Sequence, residues 1–286
     1  MMQGKRVLIT GANSGIGKEA AVALAAQGAQ IVMLCRSRQR AEAALAEIIQ
    51  RSGNDQIEIV LADFASLASV AQAAETINQR YQRIDVLLNN AGAYFSTRET
   101  SQDGYEMTFA VNHLAPFLLT KLLLPTLEAS TPARIINVSS DAHRFTGMNF
   151  KQLHNPSRYQ GLIVYSRSKL ANVLFTYALA EQLKDRNITV NALHPGVIAS
   201  NFAAGGSDVF AFIIESVRRF MITPEQGAQT SIYLASSPEV AQTTGKYFEK
   251  SKERRSSAAS YDRASQQQLW QLSEELIAAK LPYVTV

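Results

Sequence analysis

Cysteine is almost missing from this chain. Cys35 is the only one in 286 residues. One thiol closes no internal disulfide and builds no cysteine-ligated metal centre, which fits a reducing compartment. A cytoplasmic protein with no bound metal is the expectation. Long apolar runs are also lacking. No stretch reaches the roughly 18 consecutive apolar residues of a membrane-spanning helix, and Lys5-Arg6-Val7-Leu8-Ile9 starts a strand pattern so early that no room is left for a cleavable leader. Charge of neither sign dominates: 28 Lys and Arg face 24 Asp and Glu, a net of +4. Without a basic block or a basic–aromatic repeat, nucleic acid is not an expected partner. The one basic cluster, Lys250, Lys252, Arg254 and Arg255, reads as a solvated loop. Internal repeats and low-complexity linkers are lacking as well, so one domain spanning 1–286 is the economical reading.

What is present is an alternation of short β-rich runs and amphipathic stretches in a chain that is 47% hydrophobic. Strand patterns fall at 6–10, 30–35, 56–61, 84–88, 134–138, 188–193 and 246–248. Helical patterns fall at 18–27, 38–51, 67–81, 105–127, from Tyr165 to Leu183, at 224–236 and at 264–280. This order predicts an α/β fold: a single doubly wound parallel sheet of about seven strands, the Rossmann arrangement, with helices on both faces.

Candidate site residues follow the strands. Gly11, Asn13, Ser14, Gly15, Ile16 and Gly17 lie between the first strand and the first helix. Glycines there let the backbone approach a pyrophosphate, which then sits on a helix N-terminus. The second strand ends in Arg36-Ser37-Arg38, with no acidic residue. An acid at that place takes the ribose hydroxyls of NAD, whereas an arginine accommodates the 2′-phosphate of NADP, so NADP(H) is the expected cofactor. Asp63 follows the third strand, and Asn90, Ala91 and Gly92 follow the fourth. Ser140 ends the fifth, and Pro195 and Gly196 end the sixth. Asn112 stands mid-helix near Pro116, which predicts a local irregularity. Tyr165 and Lys169, four apart, share a helix face. A cation beside a phenol favours the phenolate and lowers its pKa, so the pair can act as an acid/base device. The apolar segment 207–222 predicts a lid over a lipophilic pocket; a membrane-surface helix or a partner surface fits the same pattern.

Taken together, Thr10 to Gly17, Asp63, Asn89-Asn90-Ala91-Gly92, Asn112, Ser140, Tyr165 with Lys169, and Pro195-Gly196 resemble the short-chain dehydrogenase/reductase family over nearly the full chain. Val138 to His143, the opening of the Tyr165 helix through Asn172, His194-Pro195-Gly196 and Leu269 to Ser273 are similar to its retinol-dehydrogenase-like branch. The run from Ser140 to Tyr165 is longer than in the family's commonest members, which is itself a feature of that branch. The resemblance implies hydride transfer between nicotinamide and a lipophilic alcohol, aldehyde or ketone. It implies Tyr165 as proton donor, Ser140 as the orienting hydroxyl, Lys169 as holder of the nicotinamide ribose, and Asn112 as keeper of a relay water. Ile198 and Ser200 join Pro195 and Gly196 at the carboxamide. A homodimer or homotetramer through the helices after Tyr105 and Tyr165 is common in the family. Ser139 and His143 read as structural neighbours. Two other functions compete: a ring double-bond reductase resembling light-dependent protochlorophyllide reductase, and a non-catalytic NADPH-binding regulator.

Overall fold

The fold is seen in a computed structural model, in which residues 2–130, 132–196 and 222–284 are described. Its strands are β1 (Arg6–Thr10), β2 (Gln30–Cys35), β3 (Ile57–Leu61), β4 (Val86–Asn89), β5 (Ala133–Val138), β6 (Ile188–His194), β7 (Lys246–Glu249) and β8 (Lys252–Arg254). They form one sheet in the order β3-β2-β1-β4-β5-β6-β7-β8. The first seven run parallel, and β8 folds back antiparallel on β7 with Tyr247 opposite Arg254. The order reverses between β1 and β4, which opens the crevice where ligands of such sheets bind.

Successive residues of a strand point to opposite faces, and each face here has its own core. Val7, Ile9, Ile31, Met33, Leu88 and Ile136 pack with α1 (Gly15–Ala26), α2 (Arg38–Ser52) and α7 (Pro224–Ser236). Leu8, Val32, Leu87, Ile135 and Val190 pack with α3 (Leu67–Arg80), α5 (Ala115–Glu128), α6 (Gly161–Gln182) and α8 (Arg263–Ala278). Burial on both faces is why the strands read as continuous apolar runs rather than alternating ones. Short polar residues start the helices where the pattern expects them: Ser37, Ser66 and Thr223 each accept a first-turn N–H.

Three expectations change. The sheet has eight strands, because the 250–255 basic cluster is a turn plus the edge strand β8 rather than a loop; its three residues are all exposed. The helix expected at 105–127 is divided into a short α4 (Met107–Phe109), a π-helical turn (Ala110–Leu114) and then α5. Pro116 sits in the first turn of α5, where no N–H is needed, and Pro125 lies inside it. The 141–158 loop holds two 3₁₀ turns, Asp141–Phe145 and Phe150–Gln152. Met107–Glu128 is long and apolar enough to cross a membrane by composition, yet Leu114, Phe117, Leu118, Leu119, Leu123 and Leu127 are fully buried in the core.

The helices expected as oligomer contacts are partly covered by α8. Trp270 packs on Phe117 and Phe175 at ring distances of 4.9 and 5.9 Å, Lys121 pairs with Glu274 at 3.0 Å, and His113 meets the Ser273 hydroxyl at 2.9 Å. The segment 207–221 lies outside the described residues.

Candidate active site

All the candidate residues within the described chain gather at the C-terminal ends of the parallel strands. Gly11 to Gly17 follow β1, Arg36 follows β2, Asp63 β3, Asn90 to Gly92 β4, Ser140 β5, and Pro195-Gly196 β6. Ile198 and Ser200 lie outside the described residues.

Thr10 joins the first two turns. Its hydroxyl accepts the N–H groups of Asn90 and Ala91 at 2.9 and 2.8 Å, and its carbonyl accepts the Asn90 side-chain amide at 2.8 Å. This brings the two turns so close that a Cβ on Gly17 would lie 2.5 Å from both Asn90 Nδ2 and the Gly11 carbonyl, so no larger residue fits. The far side of the first turn is open. A Cβ on Gly15 would meet nothing within 4 Å, Ser14 makes no side-chain cap, and the first turn of α1 holds no acid. A helix N-terminus with free N–H groups and no competing carboxylate is suited to a pyrophosphate. Arg36 is exposed and has no ion-pair partner among the described residues. Asp63 is half-engaged: one carboxylate oxygen accepts the Ala65 N–H at 3.0 Å, the other the Gln102 amide at 3.4 Å. Gly196 has φ +99°, and a Cβ there would meet the Ile222 side chain at 2.5 Å.

The acid/base group stands on α6, which begins at Gly161, so Tyr165 and Lys169 occupy its second and third turns. The Ser140 hydroxyl stands beside the Tyr165 phenol and favours its ionised form. Ser140 Oγ also accepts the Ala142 N–H at 3.2 Å, which fixes it at the head of the 3₁₀ turn. Lys169 is buried. Its Nζ donates to the Val138 carbonyl at 3.2 Å and lies 5.6 Å from the Tyr165 ring centre. A Cβ on Gly92 would come within 3.1 Å of that Nζ and 3.3 Å of Asn112 Oδ1, so glycine keeps the β4 turn open to the ammonium. Asn112, fully buried in the π-helical turn, clasps Ala93: Oδ1 accepts its N–H at 2.7 Å and Nδ2 donates to its carbonyl at 2.9 Å. Nδ2 also donates to Ser168 Oγ at 2.9 Å, which in turn donates to the Tyr165 carbonyl. The Asn112 side chain therefore links the β4 turn to the Tyr165 helix.

The electrostatics differ from the simple picture of a cation lowering a phenol's pKa. Burial is the largest influence on both groups. It pushes Tyr165 up to about 12, with the Ser140 hydroxyl pulling the other way, and drives Lys169 down to about 8. In the polypeptide by itself, desolvation decides the titration of both groups, with Lys169 Nζ 5.6 Å from the Tyr165 ring centre.

Several residues of the site carry weak sequence signals. Ser139 donates to the Lys169 carbonyl at 2.7 Å and pins β5 to α6. A buried polar chain crosses the sheet, with Asn89 Nδ2 donating to Asn137 Oδ1 and Asn137 Nδ2 donating to Thr176 Oγ1. Tyr94 stands edge-on to Tyr165 at 5.9 Å. The available signal for most of these was a polar residue inside an otherwise apolar strand or helix; Tyr94 had none.

A doubly wound sheet with a nucleotide crevice and a Ser–Tyr–Lys group beside it, its lysine buried and its two hydroxyl residues partly exposed, defines a nucleotide-dependent oxidoreductase. The comparisons give the family. Residues 5–208 match the short chain dehydrogenase family. Retinol dehydrogenase 14 of Mus musculus is 41% identical over 97% of this chain and 87% of its own length, and retinol dehydrogenase 13 of Homo sapiens is 40% identical over 98% and 87%. A crystal structure of an uncharacterized protein from Mycobacterium paratuberculosis is similar at a TM-score of 0.79 with 31% identity, covering 96% of this chain and 94% of that one. The RhlG/NADP active-site complex of Pseudomonas aeruginosa is similar at a TM-score of 0.70 with 26% identity, over 86% and 94%. The chain belongs to the short-chain dehydrogenase family, whose members use nicotinamide cofactors.

Proposed function

We propose that this protein is an NADP(H)-dependent oxidoreductase that interconverts a lipophilic alcohol and the matching aldehyde or ketone. The observation that carries the reading is the placing of the Ser140 hydroxyl beside the Tyr165 phenol, with the Lys169 ammonium held behind them toward the Asn90–Gly92 turn. Two hydroxyls converging at a strand end suit a carbonyl oxygen: Ser140 orients it, and Tyr165 gives it a proton as it becomes an alkoxide. The nicotinamide dinucleotide, when bound, supplies or accepts the hydride. The free N–H groups of α1 would hold its pyrophosphate, Arg36 its 2′-phosphate, Asp63 its adenine, and Asn90 to Gly92 its ribose. Lys169 would hold the nicotinamide ribose hydroxyls, and Pro195 and Gly196 would meet the carboxamide, with Ile198 and Ser200 beside them. Asn112 would place a water that links Lys169 to solvent.

The relatives named retinol dehydrogenases support an alcohol or carbonyl substrate of lipophilic character, and the NADP complex of the P. aeruginosa neighbour supports the cofactor. Cys35 argues against the ring-reductase alternative. Its thiol is buried at the end of β2 against the backbone of Ala12 and Asn13, where burial pushes it up to about 11. The regulator alternative is disfavoured by the intact group Asn112, Ser140, Tyr165 and Lys169.

The test is NADPH oxidation across a panel of carbonyl compounds of increasing chain length. Long-chain aldehydes are expected to react and small polar ones not. Tyr165→Phe should abolish turnover while the dissociation constant for NADPH stays within about twofold, since the phenol acts on the reacting oxygen. A variant that keeps near-native rate removes Tyr165 from the proposed role.

A further inference from the structure

His143 is fully buried and has a backbone partner at each ring nitrogen. Nδ1 lies 2.7 Å from the Ser140 carbonyl oxygen, and the Ser257 N–H donates to Nε2 at 2.9 Å. A carbonyl only accepts, and the Ser257 amide only donates. The ring is therefore the neutral tautomer with its proton on Nδ1. The His143 backbone N–H also donates to the Ser140 carbonyl at 3.0 Å, so that one oxygen receives two donors from one residue. The ring is further fixed by Tyr247, 4.9 Å away, whose hydroxyl donates to Asp141 at 3.1 Å. Around it stand Asp141, Arg144 and His194; His194 Nδ1 accepts the Asp141 N–H at 3.3 Å.

The far end of this contact is anchored too. The segment around Ser257 is held to α6 by Tyr177, whose hydroxyl meets Ser256 Oγ at 2.6 Å, and Arg144 donates to the Arg255 carbonyl at 2.6 Å. The rotation of the Ser140 peptide about β5's end is thus set by a ring wedged between the 3₁₀ turn and the stretch that follows β8. Ser140 Oγ depends on that peptide for its aim, because it already accepts the Ala142 N–H of the same turn.

We infer that His143 is a positioning residue for the reaction: by gripping the Ser140 carbonyl from Nδ1 while Ser257 holds Nε2, it fixes the direction of the Ser140 hydroxyl toward Tyr165. The inference rests on Ser140 being the hydroxyl that orients the substrate oxygen. Misplacing such a group by a fraction of an ångström costs rate rather than cofactor affinity.

The experiment is a double-mutant cycle on the full chain with NADPH and a reactive aldehyde. His143→Ala should lower kcat by roughly tenfold or more, with KM and NADPH binding little changed. In a Ser140→Ala background the same change should cost less than about twofold, because the group it aims is gone. A cost that persists undiminished in that background overturns the inference. Where His143→Ala folds poorly, His143→Asn and His143→Gln decide. Asn keeps a donor near the Nδ1 position and should retain most of the rate; Gln reaches toward Ser257, lacks that donor and should not. Equal losses of rate in the two, tracking their losses of melting temperature, would reduce His143 to a packing residue. Ring-nitrogen NMR of the wild-type protein judges the grip independently of turnover. A neutral ring protonated on Nδ1 is expected, and Nε2 protonation overturns the inference. If the wild-type protein turns over no carbonyl compound, the reductase reading falls, and the spectrum alone decides on the grip.

Discussion

Arg36 is the residue proposed to choose the dinucleotide, and its setting gives it little else to do. It is exposed at the end of β2, next to Ser37, whose hydroxyl caps α2, while Arg38 is engaged with Glu42 at 3.6 Å. A charge-assisted contact to phosphate is worth about 1.5–3 kcal/mol. Arg36→Ala should therefore weaken NADPH by roughly 10- to 100-fold and NADH by less than about threefold, as read by fluorescence titration. Equal losses for both dinucleotides would take the argument away. Its place at a strand end was legible because that needs no tertiary information. The pKa of the Tyr165 phenol was not. Spacing on a helix says that two side chains share a face; it does not say that burial outweighs their attraction. Lys169 offers a direct check. Its folded-state pKa near 8 lies below the ordinary 10.5, so between those values the unfolded chain binds more protons. Stability then rises with pH across that window and is lost as pH falls through 8. The contribution is on the order of 3 kcal/mol. Chemical denaturation of wild-type protein and Lys169→Met at pH 7.5 and pH 10 should show the wild type gaining relative to the variant. Parallel profiles would mean the lysine is not desolvated.

At the scale of elements, the irregular stretch around Asn112 is the most informative. The sequence shows a polar residue inside an apolar helix with Pro116 nearby, and a break there was legible. Its form as a π-helical turn was not, because it follows from three partners distant in sequence: Ala93 and Ser168 on Asn112, and Ser273 on His113. His113 sits in the same turn, stacked on Phe109 at 5.2 Å and close to Phe117 and Phe175. It is fully buried, and burial lowers its pKa to about 3. The unfolded chain, titrating near 6.5, takes up a proton that the folded chain refuses, so stability falls as pH drops from about 6.5 toward 3. His113→Phe keeps the ring and removes the titration. Ser273 Oγ is not left unpaired, since it also donates to the Leu269 carbonyl at 2.7 Å. The variant should match wild type within about 1 kcal/mol at pH 7 and lose less stability by pH 4.5, measured by urea midpoints. If both proteins lose stability in step over that range, His113 is not the source.

For the whole molecule, the alternation of strand and helix signals was enough to read the doubly wound sheet, since each parallel strand is buried on both faces and each crossover helix shows its stripe. The edge of the sheet beyond β7 escaped that reading. Lys252, Glu253 and Arg254 have low strand propensity, and only the ladder to Tyr247, Phe248 and Glu249 makes them a strand. The covering of α5 and α6 by α8 escaped it too, because an apolar stripe does not say whether its partner is the same chain or another copy. These two features bear on association. Parts of the α5 and α6 faces are occupied by Trp270 and its neighbours, while β8 is the last strand of the sheet among the described residues. An open strand edge is a template for pairing with another copy, and exposed charges are a common means of blunting it. Lys252, Glu253 and Arg254 are all exposed there, with Lys246 paired to Glu253 at 3.0 Å. Replacing the three by Thr, Val and Thr keeps the β7–β8 ladder and raises strand propensity while removing the charges. The variant should show a mass that grows with concentration in light scattering, above that of the wild type under the same conditions, while circular dichroism stays unchanged. A variant whose mass matches wild type at every concentration would mean that backbone exposure at β8, and not its charge, is already too limited to recruit a second copy.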